Sequence, residues 1–295
     1  MRIQAGVSPG LTAASLVLLL AAGCTSLPQS TDLTGSGAAG SLVPGGPSPQ
    51  PSAEGARETD ASRASGMLRL AADFEARGEN GTALPFYERA ALAGNGDTSV
   101  QLQVGDAFLR LGHTIRAAEA YRIVLAKEAE NGRALLGLGT ALARNGEVEE
   151  ALPLLAKAAP LINTPTAYDR LGVAHVMMGH PREAVASFEQ AHTLDDRDPD
   201  ITTNLALAAS VAGQNDKAID LLKRVNDRPG ASAYHKRNLV LVLGIAGRGA
   251  DAKASVSGLS AETIQSLLDH AKSIRAISSP KEKARALGTA SSETQ

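Results

Sequence analysis

One cysteine and six histidines are the side chains of this 295-residue chain best suited to nucleophilic or metal chemistry. The cysteine, Cys24, follows Leu20-Ala21-Ala22-Gly23. Its thiolate is a nucleophile, and the small Ala22 and Gly23 let a peptidase approach the backbone just before it. A single cysteine permits neither an intrachain disulfide nor a Cys-based zinc site. The histidines are His113, His175, His180, His192, His235 and His270, and none forms H-E-x-x-H or another metal-ligand spacing. His175 and His180 stand five residues apart, which sets them on different faces of a helix. The carboxylate pairs Glu149-Glu150 and Asp195-Asp196 fit a solvated face. No Walker loop is present, and the periodic glycines follow the repeat interval rather than a phosphate-loop spacing. The expectation is a protein with no catalytic residues, no cofactor, no metal and no small-molecule substrate.

Cys24 gains meaning from what precedes it. Met1-Arg2 is a short positive start, and Leu11 to Ala22 is apolar apart from Thr12 and Ser15. As a helix those residues span about 18 Å, short of a ~30 Å hydrocarbon core, so a signal peptide fits better than a membrane span. Leu20 to Cys24 resembles a bacterial lipobox. That resemblance implies cleavage after Gly23, diacylglycerol on Cys24 and membrane attachment by two or three acyl chains, which hold where one would be marginal. Thr25 stands where inner-membrane lipoproteins usually carry Asp, and so implies the periplasmic face of the outer membrane. Residues 24–64 hold Pro28, Pro44, Pro47, Pro49 and Pro51 among many Gly and Ser. Such a stretch buries too little apolar surface to offset its ordering entropy and reads as a disordered tether. A linker of ~40 residues reaches about 35 Å.

From residue 65 the chain repeats itself. Gly78, Gly112, Gly146, Gly179, Gly213 and Gly247 are separated by 34, 34, 33, 34 and 34 residues. Five residues after each stands an alanine: Ala83, Ala117, Ala151, Ala184, Ala218 and Ala252. Four further on comes a bulky residue: Tyr87, Tyr121, Leu155, Phe188, Leu222 and Val256. Seven residues before each glycine lies Ala71, Gly105, Gly139, Gly172, Ala206 or Val240. A small residue on a first helix lets a second helix approach, and the alanine occupies that contact. The periodic glycine suits the left-handed end of the first helix.

These residues resemble the tetratricopeptide repeat, a 34-residue helix-turn-helix unit. Val104-Gly105, Phe108, Ala117 and Tyr121 carry its signature, as do Leu171-Gly172, Ala184 and Phe188. The resemblance implies an all-α, right-handed superhelical solenoid of about six units over residues 65–257. Residues 258–275 then form a capping helix starting at Ser260, with Ile264, Leu267, Leu268 and Ala271 on its apolar face. Residues 276–295 read as a frayed tail. Low aromatic content (3%, no Trp) beside 43% hydrophobic residues agrees with helix-on-helix packing.

In such solenoids the first helices line a concave groove. Its middle would offer Leu102, Leu109, Leu136, Val173, Val176 and Met177, with Arg110, Arg144 and Arg170 beside them. An apolar groove flanked by charge suits an amphipathic helix or an extended peptide. Lys and Arg total 29 against 31 Asp and Glu, a net charge of −2, which argues against nucleic acid as partner.

The lipobox, the Pro/Ser/Gly spacer and the Ala-rich array together resemble the repeat lipoproteins of tight-adherence (Flp-type) pilus systems. That resemblance implies a non-enzymatic scaffold that binds a secretin or another pilus component. The alternative is a repeat lipoprotein serving type IV pili, outer-membrane protein assembly or cell-wall synthesis. A catalytic module using repeats only to dock needs a further domain, and about 40 residues follow the array.

Overall fold

A computed structural model describes residues 53–292, with side chains over 60–288. The expected signal peptide, Cys24 and most of the expected tether lie outside the described residues. From Glu58 onward the chain forms one compact unit. The described residues make fourteen helices and no strand. Six hairpins follow one another: α1 (Ala53–Ala76) with α2 (Asn80–Ala93), α3 (Thr98–Arg110) with α4 (Thr114–Lys127), and α5 (Gly132–Arg144) with α6 (Val148–Ile162). Then come α7 (Pro165–Met178) with α8 (Pro181–Leu194), α9 (Pro199–Val211) with α10 (Asn215–Asn226), and α11 (Ala233–Ile245) with α12 (Gly249–Ser255). Two helices close the chain, α13 (Ala261–Ala276) and α14 (Pro280–Ser292).

Local chemistry sets both ends of each first helix. Asp97, Asn131, Thr164, Asp198 and Ser232 cap α3, α5, α7, α9 and α11, each accepting a backbone N–H with its side chain. These caps recur at the repeat interval. At the other end the six periodic glycines have φ between 77° and 90°. That left-handed turn lets the next N–H reach back five residues, as from His113 to the Phe108 carbonyl at 2.8 Å. The chain then runs straight into the second helix, which starts without a side-chain cap.

Packing follows from the small positions. All six periodic alanines have no exposed surface. A Cβ placed on Gly139 would lie 2.7 Å from Leu155 Cγ, and one on Gly172 would lie 2.7 Å from Phe188 Cε1. The bulky residue of the second helix therefore seats directly on the glycine of the first. Each helix packs on the next, and first helices also touch the first helices of adjacent units, α3 to α5, α5 to α7, α7 to α9 and α9 to α11. No two second helices approach as closely among the described residues, so the first helices form the inner, concave layer.

Three regions depart from the sequence expectation. Helix α1 begins at Ala53, inside the stretch expected to be tether through residue 64. No proline interrupts the chain between Pro51 and Pro85, and Ala64 and Leu68 bury themselves in the core. In the sixth hairpin α12 has only seven residues, and α13 packs more extensively on α11 than α12 does. There a Cβ on Gly244 would come within 2.5 Å of Ala271 Cβ. Helix α14 lies in the segment expected to be a frayed tail. Ser279 Oγ accepts the Glu282 N–H at 3.4 Å, Pro280 takes the first helical position, and Leu287 is buried.

Candidate functional site

The residues expected to line a groove all lie on first helices. Leu102 and Leu109 on α3, Leu136 on α5, and Val173, Val176 and Met177 on α7 are all half-buried. Leu102, Leu109, Leu136 and Met177 pack against one hydrophobic cluster, whereas Val173 and Val176 pack against a second, beside Leu207 and Val211. The two groups thus belong to successive parts of the groove.

The three arginines already have partners, and those partners are in the array. Arg110 makes two bonds of 2.9 Å to the Glu75 carboxylate on α1. Tyr87 donates its hydroxyl to the same carboxylate at 2.6 Å. The Arg110 guanidinium, with help from Tyr87, holds the Glu75 carboxyl below the usual range. Burial and Glu75 in turn push the Tyr87 phenol up to about 12. Arg144 donates to the Leu109 carbonyl at 2.9 Å, and Arg170 approaches Asp169 at 3.5 Å. Arg110 and Arg144 each reach one repeat back along the chain. So does Asn204, which donates to Asp169 at 2.9 Å. Arg133 pairs with Asp106, which also accepts the Tyr121 hydroxyl at 2.5 Å. Residue types at the groove rim were visible in the sequence; this unit-to-unit ladder was not, because its pairs lie 27 to 35 residues apart. The repeat interval itself is the signal that could have found them. Arg110 stays accessible at the rim, with its side chain 56% exposed.

Toward the C-terminus the groove becomes polar. Asp169 is nearly buried, and burial raises its pKa against the opposing effects of Asn204 and Arg170. Thr203 Oγ1 lies 3.2 Å from His235 Nδ1 and donates to the Pro199 carbonyl at 2.7 Å. His235 is 7% exposed and its Nε2 lies 3.8 Å from Asp200. His175 and His180, read as facing apart on a helix, have ring centroids 6.1 Å apart, because the chain turns at Gly179 between them. No group of three His, Cys, Asp or Glu among the described residues could hold a metal ion. No helix among them is long and apolar enough to cross a membrane.

Burial lowers the pKa of His175 and of His235 from an ordinary value of 6.5. In the unfolded chain both take up protons more readily, so stability must fall as pH drops below that value. Asp169 works in the opposite sense, at the lower pH where carboxylates titrate. The thermal midpoint is therefore expected to fall between about pH 7.5 and about pH 5.5, and His235→Gln is expected to flatten the slope. A midpoint that is level or rises on acidification contradicts this.

The stacked hairpins, the periodic glycines and the inner layer of first helices define a tetratricopeptide-repeat solenoid fold. Models of the tetratricopeptide repeat match residues 102–167 and 175–238. Cellulose synthase 1 operon protein C of Komagataeibacter xylinus is 27% identical over 183 residues, covering 61% of this chain but only 13% of that protein. Among solved structures, PilF of Pseudomonas aeruginosa is similar with a TM-score of 0.54 and 20% identity, covering 68% of this chain and 89% of PilF. MamA of Desulfovibrio magneticus RS-1 is similar with a TM-score of 0.50 and 20% identity, covering 55% of this chain and 92% of that one. At these identities the structural likeness concerns the fold alone.

Proposed function

We propose that this protein is a lipid-anchored docking adaptor of the bacterial outer membrane that serves assembly of a tight-adherence pilus machine, in the manner of TadD. The observation that carries the reading is the concave face, where Leu102, Leu109 and Leu136 are half-buried side by side on adjoining first helices. Such half-buried leucines, with arginines on the same helices, offer an amphipathic segment of a secretin subunit a place to lie. The lipobox residues Leu20 to Cys24 support attachment to the membrane. Anchoring concentrates the groove where the secretin must assemble, which raises occupancy without any further contact. The adaptor has no reaction centre of its own in this reading. The similarity to cellulose synthase 1 operon protein C favours a second reading, an adaptor of the same kind serving another envelope process.

Three measurements test this proposal, and the secretin measurements separate it from the second reading. Cys24→Ser is expected to abolish lipid labelling and release the protein to soluble fractions; unchanged membrane retention defeats the anchor. Leu136→Glu is expected to reduce secretin co-purification by about tenfold, with helicity by circular dichroism unchanged. Deleting the protein is expected to deplete secretin multimers from the outer membrane. Normal multimer levels would transfer the assignment to the second reading.

A further inference from the structure

We infer that α14 is a displaceable internal plug, which holds the C-terminal half of the groove closed to client helices until it is released. The inference rests on the reading of the groove as a client-docking surface. Helix α14 contacts α7, α9 and α11, three successive members of the inner layer, as well as α13. It therefore runs across the concave face instead of continuing the stack. Closing the end of the solenoid does not require it, because α13 already covers α11. Five side chains of α13 are buried: Ile264, Leu267, Leu268, Ala271 and Ile274.

The contact has the form of a bound ligand helix. Pro280 and Ala284 of α14 line one small pocket together with Val176, Ala208 and Val211 of the inner layer. A Cβ on Gly179 would lie 3.0 Å from Lys281 Cβ, so the first turn of α14 presses on the α7–α8 turn. Leu287 is buried, Ala284 and Ala286 are half-buried, and Lys281, Glu282 and Arg285 face solvent. The groove thus accepts a short amphipathic helix with small residues and one leucine on its inner face. Val176, one of the residues expected to receive a client, lines that pocket with this segment of the same chain.

The structure also accounts for release. Over 280–288, where the side chains of α14 are described, Leu287 alone is buried, against five buried side chains in the sixteen residues of α13. The short non-helical link Ile277–Ser279 joins the two helices and can act as a hinge. A tether that short keeps the local concentration of α14 at the groove on the order of millimolar, which excludes dilute competitors. A client helix of similar chemistry gains access only in the fraction of molecules that are open, and its apparent affinity falls by that fraction.

The test uses the full chain and a fluorescent synthetic peptide of residues 277–295, read by anisotropy. Leu287→Asp and, separately, Ala284→Glu are expected to release α14 and bind the peptide at least about a hundredfold more tightly than the unaltered protein does. Variants that stay folded by circular dichroism yet fail to bind the peptide overturn the inference, as does equal binding by the unaltered protein. Hydrogen exchange on the unaltered protein gives an independent reading should either variant fold poorly. Amides of α14 are expected to exchange at least about tenfold faster than those of α13, and equal rates overturn the plug. Neither measurement involves a client. A failed plug with intact secretin capture leaves the adaptor function standing, and the reverse result leaves the plug standing.

Discussion

Gly137→Val is expected to destabilise the array by about 3 kcal/mol, measured as the free energy of urea unfolding followed by helicity. A Cβ on Gly137 would stand 2.2 Å from Tyr121 Cζ, far inside contact distance. The ring cannot step aside. On its other side a Cβ on Gly105 would meet it at 2.9 Å, and its hydroxyl is bonded to Asp106 at 2.5 Å. Tyr121 is 1% exposed, so no solvent gap absorbs the strain. Glycine inside a helix is itself unfavourable by roughly 0.5–1 kcal/mol relative to alanine, so the substitution recovers a little propensity. Overpacking outweighs that gain. Gly81 in α2 supplies the control, since a Cβ there would meet nothing within 4 Å. Gly81→Ala should therefore be neutral or mildly stabilising. A loss below about 0.5 kcal/mol for Gly137→Val, or equal losses at both sites, would show that Tyr121 does not wedge the two units together.

Phe188→Ala is expected to cost about 3–5 kcal/mol and to divide unfolding into two steps. Phe188 is 2% exposed and seats on Gly172. Alanine would leave a cavity that helices held by neighbours on both sides close only in part. The position matters as much as the volume. Buried apolar residues fall into two clusters, one ending at Ala174 on α7 and the other starting at Ala184 on α8. Phe188 on Gly172 bridges them. A solenoid's cooperativity is the sum of its nearest-neighbour interfaces, so weakening this one lets the halves unfold separately. Urea curves read by helicity, with hydrogen exchange resolving α3–α6 from α9–α11, would show the split. One sharp transition shifted by less than about 1 kcal/mol refutes it.

The repeat architecture was legible because its requirements are local. A glycine at Gly112 or Gly146 has to adopt positive φ, an alanine at Ala117 or Ala151 has to fit a close helix contact, and both needs recur with the unit. The caps at Asp97, Asn131, Thr164, Asp198 and Ser232 carry the same interval and could have been read from it. The positions of the expected groove residues and their partners differ in how far the sequence shows them. Leu102, Leu109 and Leu136 follow from helical register, but the engagement of Arg110 by Glu75 and of Arg144 by the Leu109 carbonyl does not, since each joins neighbouring units through space.

The ends of the array show the boundary most clearly. Residues 276–295 look like a tail because Ile277 and Leu287 among Ser, Lys and Ala are too little apolar surface to hold a helix unaided. Pro280–Ser292 form helix α14 because the curved inner layer supplies the other wall, with Val176, Ala208 and Val211 brought together from α7 and α9. Periodic backbone and packing constraints act over a few residues and are written along the chain. Which face is already occupied depends on curvature summed over several units, and no stretch of residues records that sum by itself.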